Sequence, residues 1–438
     1  MMSKFSFLFV FVAISLLSCG PQAETASVET PGSSVLPAAD PDNGAINVPD
    51  GFGAVVVADS LGRVRHIDVR DNGDIFVNLS KLYQGKGVLA LRDTDGDGHA
   101  ETMDGFGNYR GTGLQVQGNY LYAASDTCVY RYAFAGESLL PDTVGEKIVG
   151  GFPVQGQHAS KTFAVDPQDN LYVNVGAPSN ACQQEMRSPG SAGLDPCPQL
   201  EWQAGIWQFS ASKVGQTQQA DGKKYATGIR NAVAIEWSEG GNSLFAAQHG
   251  RDDLHRLWPE TFAQEDNTIL PAEEFLQVSE GDDFGWPYCF YNQEINKKLL
   301  NPEYGGDGVK QGRCEGIKEP ALAFPGHLAP NDLLFYTGDQ FPERYKDGAF
   351  IAFHGSWNRL PDPQEGYMVV FIPMNGGKVS GDWEVFAHGF KGMDKVMSTR
   401  DAAYRPTGLA EGPDGSLYIT DDAKGRIWRV MYYGKKKA

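Results

Sequence analysis

Arg230 and Asn231 sit side by side in Thr227-Gly-Ile-Arg-Asn-Ala-Val-Ala-Ile-Glu-Trp237, and the loop Gln248-His-Gly-Arg-Asp-Asp253 follows shortly after. The pattern predicts two short apolar strands joined by a turn at 239–242, with the polar donors and the Gly-containing loop at the same end. A guanidinium fork pairs with planar carboxylates. Gly250 lets the main chain come close enough for its carbonyl oxygens to bind a hard cation. Together these suit an anionic ligand accompanied by a cation. The same dipeptide would equally serve as a solvated corner of a surface strand pair, so the rest of the chain decides between the two readings.

Other polar residues occupy corresponding places. His158 ends the loop Gly151-Phe-Pro-Val-Gln-Gly-Gln-His158, just before an apolar strand. His354, Trp357 and Asn358 follow a strand in Phe353-His-Gly-Ser-Trp-Asn-Arg359, and Arg405 precedes one in Tyr404-Arg-Pro-Thr-Gly-Leu409. Arg110, in Asn108-Tyr-Arg-Gly-Thr-Gly113, either joins them or is a plain surface arginine. If the strands converge, these side chains gather at one mouth. An arginine-lined funnel with an aromatic plane suits a flat polyanion.

The elements that must position them repeat along the chain. A turn of Asp, Asn or Gly followed by a short strand with a large apolar pair recurs six times, at 72–77, 118–123, 169–173, 242–246, 347–351 and 414–419. Many copies lead into a second apolar strand, and helical periodicity is nearly absent. The expected fold is all-β, a six-bladed β-propeller with four-stranded blades around a channel. The long gaps at about 174–226 and 247–346 are expected to be insertions on one face, where ligands bind. A sandwich of two domains is the alternative, and it explains six copies less well.

Asp93, Asp95, Asp97, Glu101 and Asp104 take positions 1, 3, 5, 9 and 12 of a calcium-loop spacing, with Gly98 at position 6. We expect a structural calcium loop between strands, against the alternative of an acidic solvated turn.

The net charge of −18 argues against a nucleic-acid binder and against attraction to an anionic membrane surface. Residues 1–18 read as a signal peptide, with an apolar run ending Leu16-Leu-Ser-Cys19. Cys19 is expected to carry lipid, so the protein would be exported to a periplasm and touch a membrane only through that anchor; Leu17 is unusual before such a cysteine, and ordinary secretion is the alternative. Residues 19–48 read as a flexible linker and 49–434 as the propeller domain. Cys182–Cys197 and Cys289–Cys314 are expected disulfides and Cys128 a buried free thiol. No Cys-x-x-Cys-His is present, so no attached c-type haem is expected.

Taken in order, Gln157-His158, Gly228-Ile-Arg-Asn231, His249-Gly-Arg-Asp-Asp253, Phe284-Gly-Trp-Pro-Tyr-Cys289, Phe335-Tyr-Thr-Gly338, His354-Gly-Ser-Trp-Asn-Arg359 and Arg405-Pro-Thr-Gly-Leu409 resemble the pyrroloquinoline quinone (PQQ)-dependent sugar dehydrogenases of the glucose/sorbosone dehydrogenase family. The resemblance covers roughly residues 50–432 and is greater toward the sorbosone and pyranose dehydrogenase branches. It implies PQQ and Ca²⁺ as cofactors, with Ca²⁺ held partly by the backbone carbonyls of Gly250 and Arg251. It implies His158 as catalytic base, with Arg230 stabilising charge on the quinone. It places Arg110, Arg230, Asn231, His354, Trp357, Asn358 and Arg405 around the cofactor. The implied reaction takes a proton and a hydride from a sugar's anomeric carbon or an aldehyde hydrate, and electrons leave to a separate cytochrome or quinone. The glucose enzymes carry Gly-Pro where this chain has Gly250-Arg251, and the sugar-contacting loops differ, so glucose is not implied. Two other readings stand beside this one: a calcium-dependent lactone hydrolase, which needs carboxylate and Asn ligands converging on the channel, and a non-catalytic binding propeller.

Overall fold

The computed structural model describes residues 36–434. Six antiparallel sheets of four strands account for most of it, and two of these gain a short parallel fifth strand at the outer edge. In the first blade Val64–Val69, Ile75–Tyr83, Lys86–Arg92 and Thr102–Phe106 run from the axis outward. The innermost strands of the next five blades are Leu114–Gln117, Phe163–Val165, Ala234–Ser238, Pro330–Phe335 and Pro406–Glu411. Each packs beside the next and the last returns to the first, so the six sheets close into the expected β-propeller. The sixth blade takes its outer strand from the start of the domain: Phe52–Ala58 pairs antiparallel with Ile427–Tyr432. This strand ties the two ends of the ring together.

Each of the six sequence repeats is the turn into a second strand. The residue that reverses the chain there has positive φ in every blade: Gly73 (88°), Gly118 (55°), Asp169 (67°), Asn242 (43°), Asp347 (59°) and Gly415 (79°). Only Gly, Asn and Asp adopt that left-handed conformation at low cost, which is why the turn residues were readable. The second strands are enclosed by their own sheet and by both neighbouring blades. Ala349–Phe353 and Leu417–Asp421 are buried at every position. They therefore read as apolar runs without alternation.

The core lies between blades. Phe245 and Phe275 of the fourth blade pack with Leu333, Phe335 and Ile351 of the fifth in one cluster. Each such side chain contributes roughly 1.5–3 kcal/mol by leaving water.

Polar side chains also bridge the innermost strands along the channel. Asp68 Oδ2 accepts the Val116 N–H (2.6 Å), Gln115 Oε1 the Val165 N–H (2.9 Å) and Asp332 Oδ2 the Leu409 N–H (2.8 Å). Each bond joins one blade to the next. Burial raises the Asp68 carboxyl to about 6 and pushes those of Glu236 and Asp332 well above their usual range.

Four sequence expectations need correction. The long gaps hold more blade than expected, since Gly205–Ser210, Lys223–Thr227, Glu273–Val278, Leu322–Phe324 and Pro330–Phe335 all fall within them. The true insertions are 176–204, 249–272 and 279–321. Residues 37–48, read as part of a flexible linker, are fastened to the sixth blade. There the Gly44 carbonyl accepts Trp428 Nε1 (2.9 Å) and Arg426 Nη1 (3.0 Å), and Ile46 is buried. Cys128 is unpaired but only half-buried, because it lies in the turn before Val129–Ala133 rather than within that strand. Asp104 does not join the calcium loop. It lies on Thr102–Phe106, and its Oδ1 accepts the Gly105 N–H.

The two disulfides form as expected, Cys182–Cys197 and Cys289–Cys314, each clipping one insertion. The apolar run and Cys19 lie outside the described residues. Among those described, no helix is long and apolar enough to cross a membrane.

Candidate active site

The loops that enter the innermost strands, and those that leave the second strands, meet at one end of the channel. They enclose a funnel of about 500 Å³. His158, Arg230, Asn231, Gly250, His354, Trp357, Arg405 and Arg110 all line it, drawn from five different blades.

His158 stands on a loop in the left-handed region, with φ 50°. A non-glycine residue there costs of order 1 kcal/mol or more and is held only by its surroundings. The holder is Gln155, whose Nε2 reaches the carbonyls of Gln157 (2.8 Å), His158 (2.9 Å) and Gly176 (2.9 Å). Gly176 is required for a second reason. A Cβ there would lie 2.6 Å from Asn231 Oδ1 and 2.7 Å from His158 Cβ, so only glycine lets these two residues approach.

His158 Nδ1 lies 2.6 Å from the Ala177 carbonyl. A carbonyl can only accept, so Nδ1 carries the proton and Nε2 holds a free lone pair. Burial, and then the Arg230 charge, push this imidazole down to about 3. It is therefore neutral at physiological pH and can accept a proton at Nε2.

Arg230 is buried and tied on one side only. Its Nε and Nη2 bond to Asn180, at the carbonyl (3.2 Å) and Oδ1 (3.1 Å), and Nη2 also pairs with Asp252 Oδ2 (2.9 Å). Nη1 has no partner among the described residues. Arg187 joins the same carboxylate at 2.7 Å and reaches Asp253 at 2.5 Å. Burial alone would raise the Asp252 carboxyl, but the two guanidiniums outweigh it and hold it below the usual carboxylate range. The backbone of Arg230 is fixed as well. Its N–H bonds to Gln248 Oε1 (3.0 Å), Gln248 Nε2 to Glu274 Oε1 (3.0 Å), and Glu274 to Lys298 (2.5 Å), which the third insertion supplies.

The Gly250-Arg251 step separates backbone from side chain. Gly250 faces the funnel, while the Arg251 guanidinium turns away and is buried against Glu303 (2.5 Å) and Asn301 (3.2 Å). Neither carbonyl oxygen accepts a hydrogen bond among the described residues. Two consecutive unused carbonyls, anchored from behind, are ligands a hard cation could use. Beneath them, buried Glu273 accepts the Gly250 N–H (3.1 Å), and burial raises its carboxyl to about 8.

Across the funnel, His354 Nε2 bonds to Asp422 Oδ1 (2.7 Å), and Arg65 Nη1 pairs with Asp422 Oδ2 (3.0 Å). Arg405 donates Nε to the His354 carbonyl (3.2 Å) and Nη2 to that of Gly355 (2.9 Å). Arg110 stands at the rim, largely exposed, bonded to Asp126 (3.0 Å). The fit to a flat polycarboxylate is good. Four arginines line the bowl, and among the described residues Arg230 Nη1 and the buried Nε of Arg65 have no partner.

Asn358 departs from expectation. Gly355 (φ 93°) turns the chain so that Trp357 reaches the rim and Asn358 lies beyond it, lining a separate cleft. It does not reach the funnel. The acidic loop stands apart from the funnel, with ligand atoms of Asp93, Asp95, Asp97 and Glu101 within 4.8 Å of one another.

Sequence reasoning missed Asp252, Glu273, Asn180, Arg187 and Gly176. Asp252 belonged to a quoted motif, and only its function went unread. Glu273 opens Glu273-Glu274-Phe-Leu, which looks like a solvated strand end. Asn180 and Arg187 are remote in sequence, and nothing local marks them.

A model of the TrAA12-like family matches residues 46–433. The chain belongs to that family. A PQQ-dependent pyranose dehydrogenase of Coprinopsis cinerea is 25% identical over 237 residues, covering 48% of this chain and 31% of that protein. The chain thus matches about a third of that relative's length. The holo form of the pyranose dehydrogenase PQQ domain from Coprinopsis cinerea superposes with a TM-score of 0.69 at 19% identity, covering 88% of this chain and 97% of that one. A calcium structure of a Trichoderma reesei carbohydrate-active enzyme of family AA12 superposes with a TM-score of 0.71 at 18% identity, covering 89% of this chain and 97% of that one. At these identities the superpositions speak for the fold, and this TrAA12-like chain shares it over nearly the whole propeller.

Proposed function

We propose that this chain is a PQQ- and calcium-dependent sugar dehydrogenase, oxidising an aldose or pyranose at its anomeric carbon, or a sorbosone-type aldehyde. The observation that carries this is the placement, in one funnel, of a neutral His158, an Arg230 with a free donor and two unused carbonyls at Gly250 and Arg251. The Coprinopsis relative, a PQQ-dependent pyranose dehydrogenase, supports the quinone and sugar parts of this reading.

When bound, the quinone with its Ca²⁺ supplies the two-electron acceptor. The residues do the rest. His158 Nε2 takes the hydroxyl proton, because a sugar C–OH is too weak an acid to lose it unaided. The Ala177 carbonyl keeps the other ring proton on Nδ1 and so keeps Nε2 aimed as acceptor. Arg230 presents fixed positive charge where negative charge develops, and its ties to Asn180 and Asp252 mean it need not reorganise. Arg405, Asn231, His354 and the rim Arg110 hold the polyanion. Gly250 and Arg251 hold the cation with their carbonyls.

The electron acceptor is external, a cytochrome or a quinone. The protein is exported and held at a membrane through lipid on Cys19, and the loop of Asp93, Asp95, Asp97 and Glu101 holds a structural Ca²⁺.

Titration of apoprotein with PQQ and Ca²⁺, following dye reduction over a panel of aldoses, tests the proposal. Saturable, Ca²⁺-dependent turnover is expected. In His158→Ala, PQQ should still bind while the rate falls by ~10²–10⁴. Failure of the wild-type chain to bind PQQ would end the proposal.

A further inference from the structure

Beside the funnel lies a second cleft of the same size, about 500 Å³, and Trp357 lines both. We propose that this cleft is a sugar subsite, so that the substrate class is a reducing disaccharide or longer oligosaccharide: its reducing-end ring sits in the funnel and the next ring lies across Trp357. The inference rests on the dehydrogenase reading for the chemistry at the reducing end, but the cleft binds sugar by its own residues.

One wall of the cleft is apolar and exposed. Trp357 is 56% exposed and Leu360 54% exposed, three residues apart on the same loop, and the Arg187 guanidinium lies over the indole at 5.6 Å. The lining also holds the Asp253–Arg256 ion pair and hydrogen-bonding groups with capacity left over among the described residues. Asn358 is 8% exposed, and its Nδ2 is buried with no partner among the described residues. Its backbone is pinned by Ser356 Oγ to its N–H (2.9 Å) and by Asn267 Nδ2 to its carbonyl (3.1 Å), which fixes the residue in the cleft lining. His255 Nδ1 bonds to the Phe262 carbonyl (2.8 Å), which leaves Nε2 as an acceptor. Gln264 Nε2 bonds to the Leu360 carbonyl (2.9 Å), which leaves Oε1 as a second acceptor.

An exposed indole in the same cleft as carboxamides and acceptors suits a pyranose ring, whose C–H face is apolar and whose hydroxyl edge both donates and accepts. A quinone matches poorly. It brings only acceptors, so His255 Nε2 and Gln264 Oε1 would be covered without donors, and a buried unmet polar group costs more than a made bond returns. The position of the cleft fixes the direction of the chain. The funnel holds the cofactor and the ring being oxidised, and the only rings left to fill the cleft are those linked to it.

The test compares D-glucose, cellobiose and maltose as substrates of the PQQ-loaded protein, and sorbitol, cellobiitol and maltitol as ligands of the PQQ-free protein by calorimetry. The alditols cannot be oxidised at the anomeric carbon, so the second measurement does not depend on the dehydrogenase reading. At least one disaccharide should show kcat/KM about tenfold above glucose, and its alditol should bind about tenfold more tightly than sorbitol. Gln264→Ala and Asn358→Leu should bring both ratios close to one. Alditol binding without PQQ binding would sustain the subsite and sink the dehydrogenase. Normal glucose turnover with no disaccharide advantage and no alditol binding would overturn the subsite. So would a Gln264→Ala variant that slows reduction of a soluble ubiquinone analogue while leaving the sugar ratios untouched.

Discussion

The funnel is enclosed by loops and the channel by the innermost strands those loops enter, and both bury ionisable groups, but to opposite ends. In the channel Asp68 and Asp332 each spend one oxygen on an N–H of the next blade and the other on an N–H of their own strand, and burial drives Asp68, Glu236 and Asp332 toward the protonated form. In the funnel Asp252 keeps its charge through two guanidiniums, and Arg230 keeps one face free. Channel groups are satisfied within the protein and hold blades together. Funnel groups are left with capacity that only a ligand can use. The difference also bears on the hydrolase alternative. Carboxyls do converge on the channel, but two of them are committed to blade seams, so they do not form an open ligand set.

Substitutions can break this comparison. Asp252→Ala would leave Arg187 and Arg230 without their shared carboxylate. It should destabilise the fold by ~3–5 kcal/mol, the usual cost of breaking a buried pair, seen as a shift in the urea midpoint together with lost turnover. Gly176→Ala forces His158 and Asn231 apart. A misplacement of about 1 Å costs ~10²-fold in rate, so kcat/KM should fall by that order, and the expected change in stability is smaller than for Asp252→Ala.

In the channel, Asp332→Leu leaves the Leu409 and Leu333 N–H groups unmet and should cost ~1–3 kcal/mol for each buried group, with turnover within a few-fold of wild type. If Asp332→Leu abolished turnover while the fold held, the channel would belong to the active site and the distinction would fail.

Acidity sharpens the comparison further. His158 and His249 of the funnel fall from 6.5 to about 3 and about 4 on folding. The folded state therefore binds fewer protons than the unfolded chain between these values and 6.5. Their stabilising effect is complete above about 6.5 and is lost as pH falls toward 3. Asp68 moves the other way, from 3.8 to about 6, so its contribution is complete below 3.8 and is lost as pH rises through 6. Chemical denaturation across pH 3–8 should show His158→Gln flattening the acid side. Asp68→Asn should flatten the rise-dependent loss between 4 and 6. The smallest effect expected is at the acidic loop, where Asp95→Ala should remove a Ca²⁺-dependent gain of a few degrees in Tm and leave turnover unchanged, as read by a thermal scan with and without chelator.

Much of the fold was legible because a blade's second strand is announced locally. A left-handed turn demands Gly, Asn or Asp, and a strand packed on both faces demands an apolar run. Both marks lie within about six residues at each of the six copies. The funnel was legible to the extent that its residues stand next to such strands, as His158, Arg230, Asn231 and Arg405 do. Asn358 was misplaced because it is one residue past Trp357, and the turn at Gly355 separates them into different cavities. The insertions hid the most. Asn180 reaches Arg230 across 50 residues of chain and Lys298 reaches Glu274 across 24, contacts that no periodicity records.

Sequence alone determined the number of blades, the two local disulfides and the polar residues at strand ends, because each depends on neighbours a few residues away. Tertiary structure decided which nitrogen of His158 is free, that guanidiniums hold Asp252 toward its charged form while burial pushes Asp332 the other way, and that the Arg251 side chain turns away from the carbonyls it follows. Those outcomes depend on desolvation and on the charges of groups brought together from separate blades, and neither exists until the ring has closed.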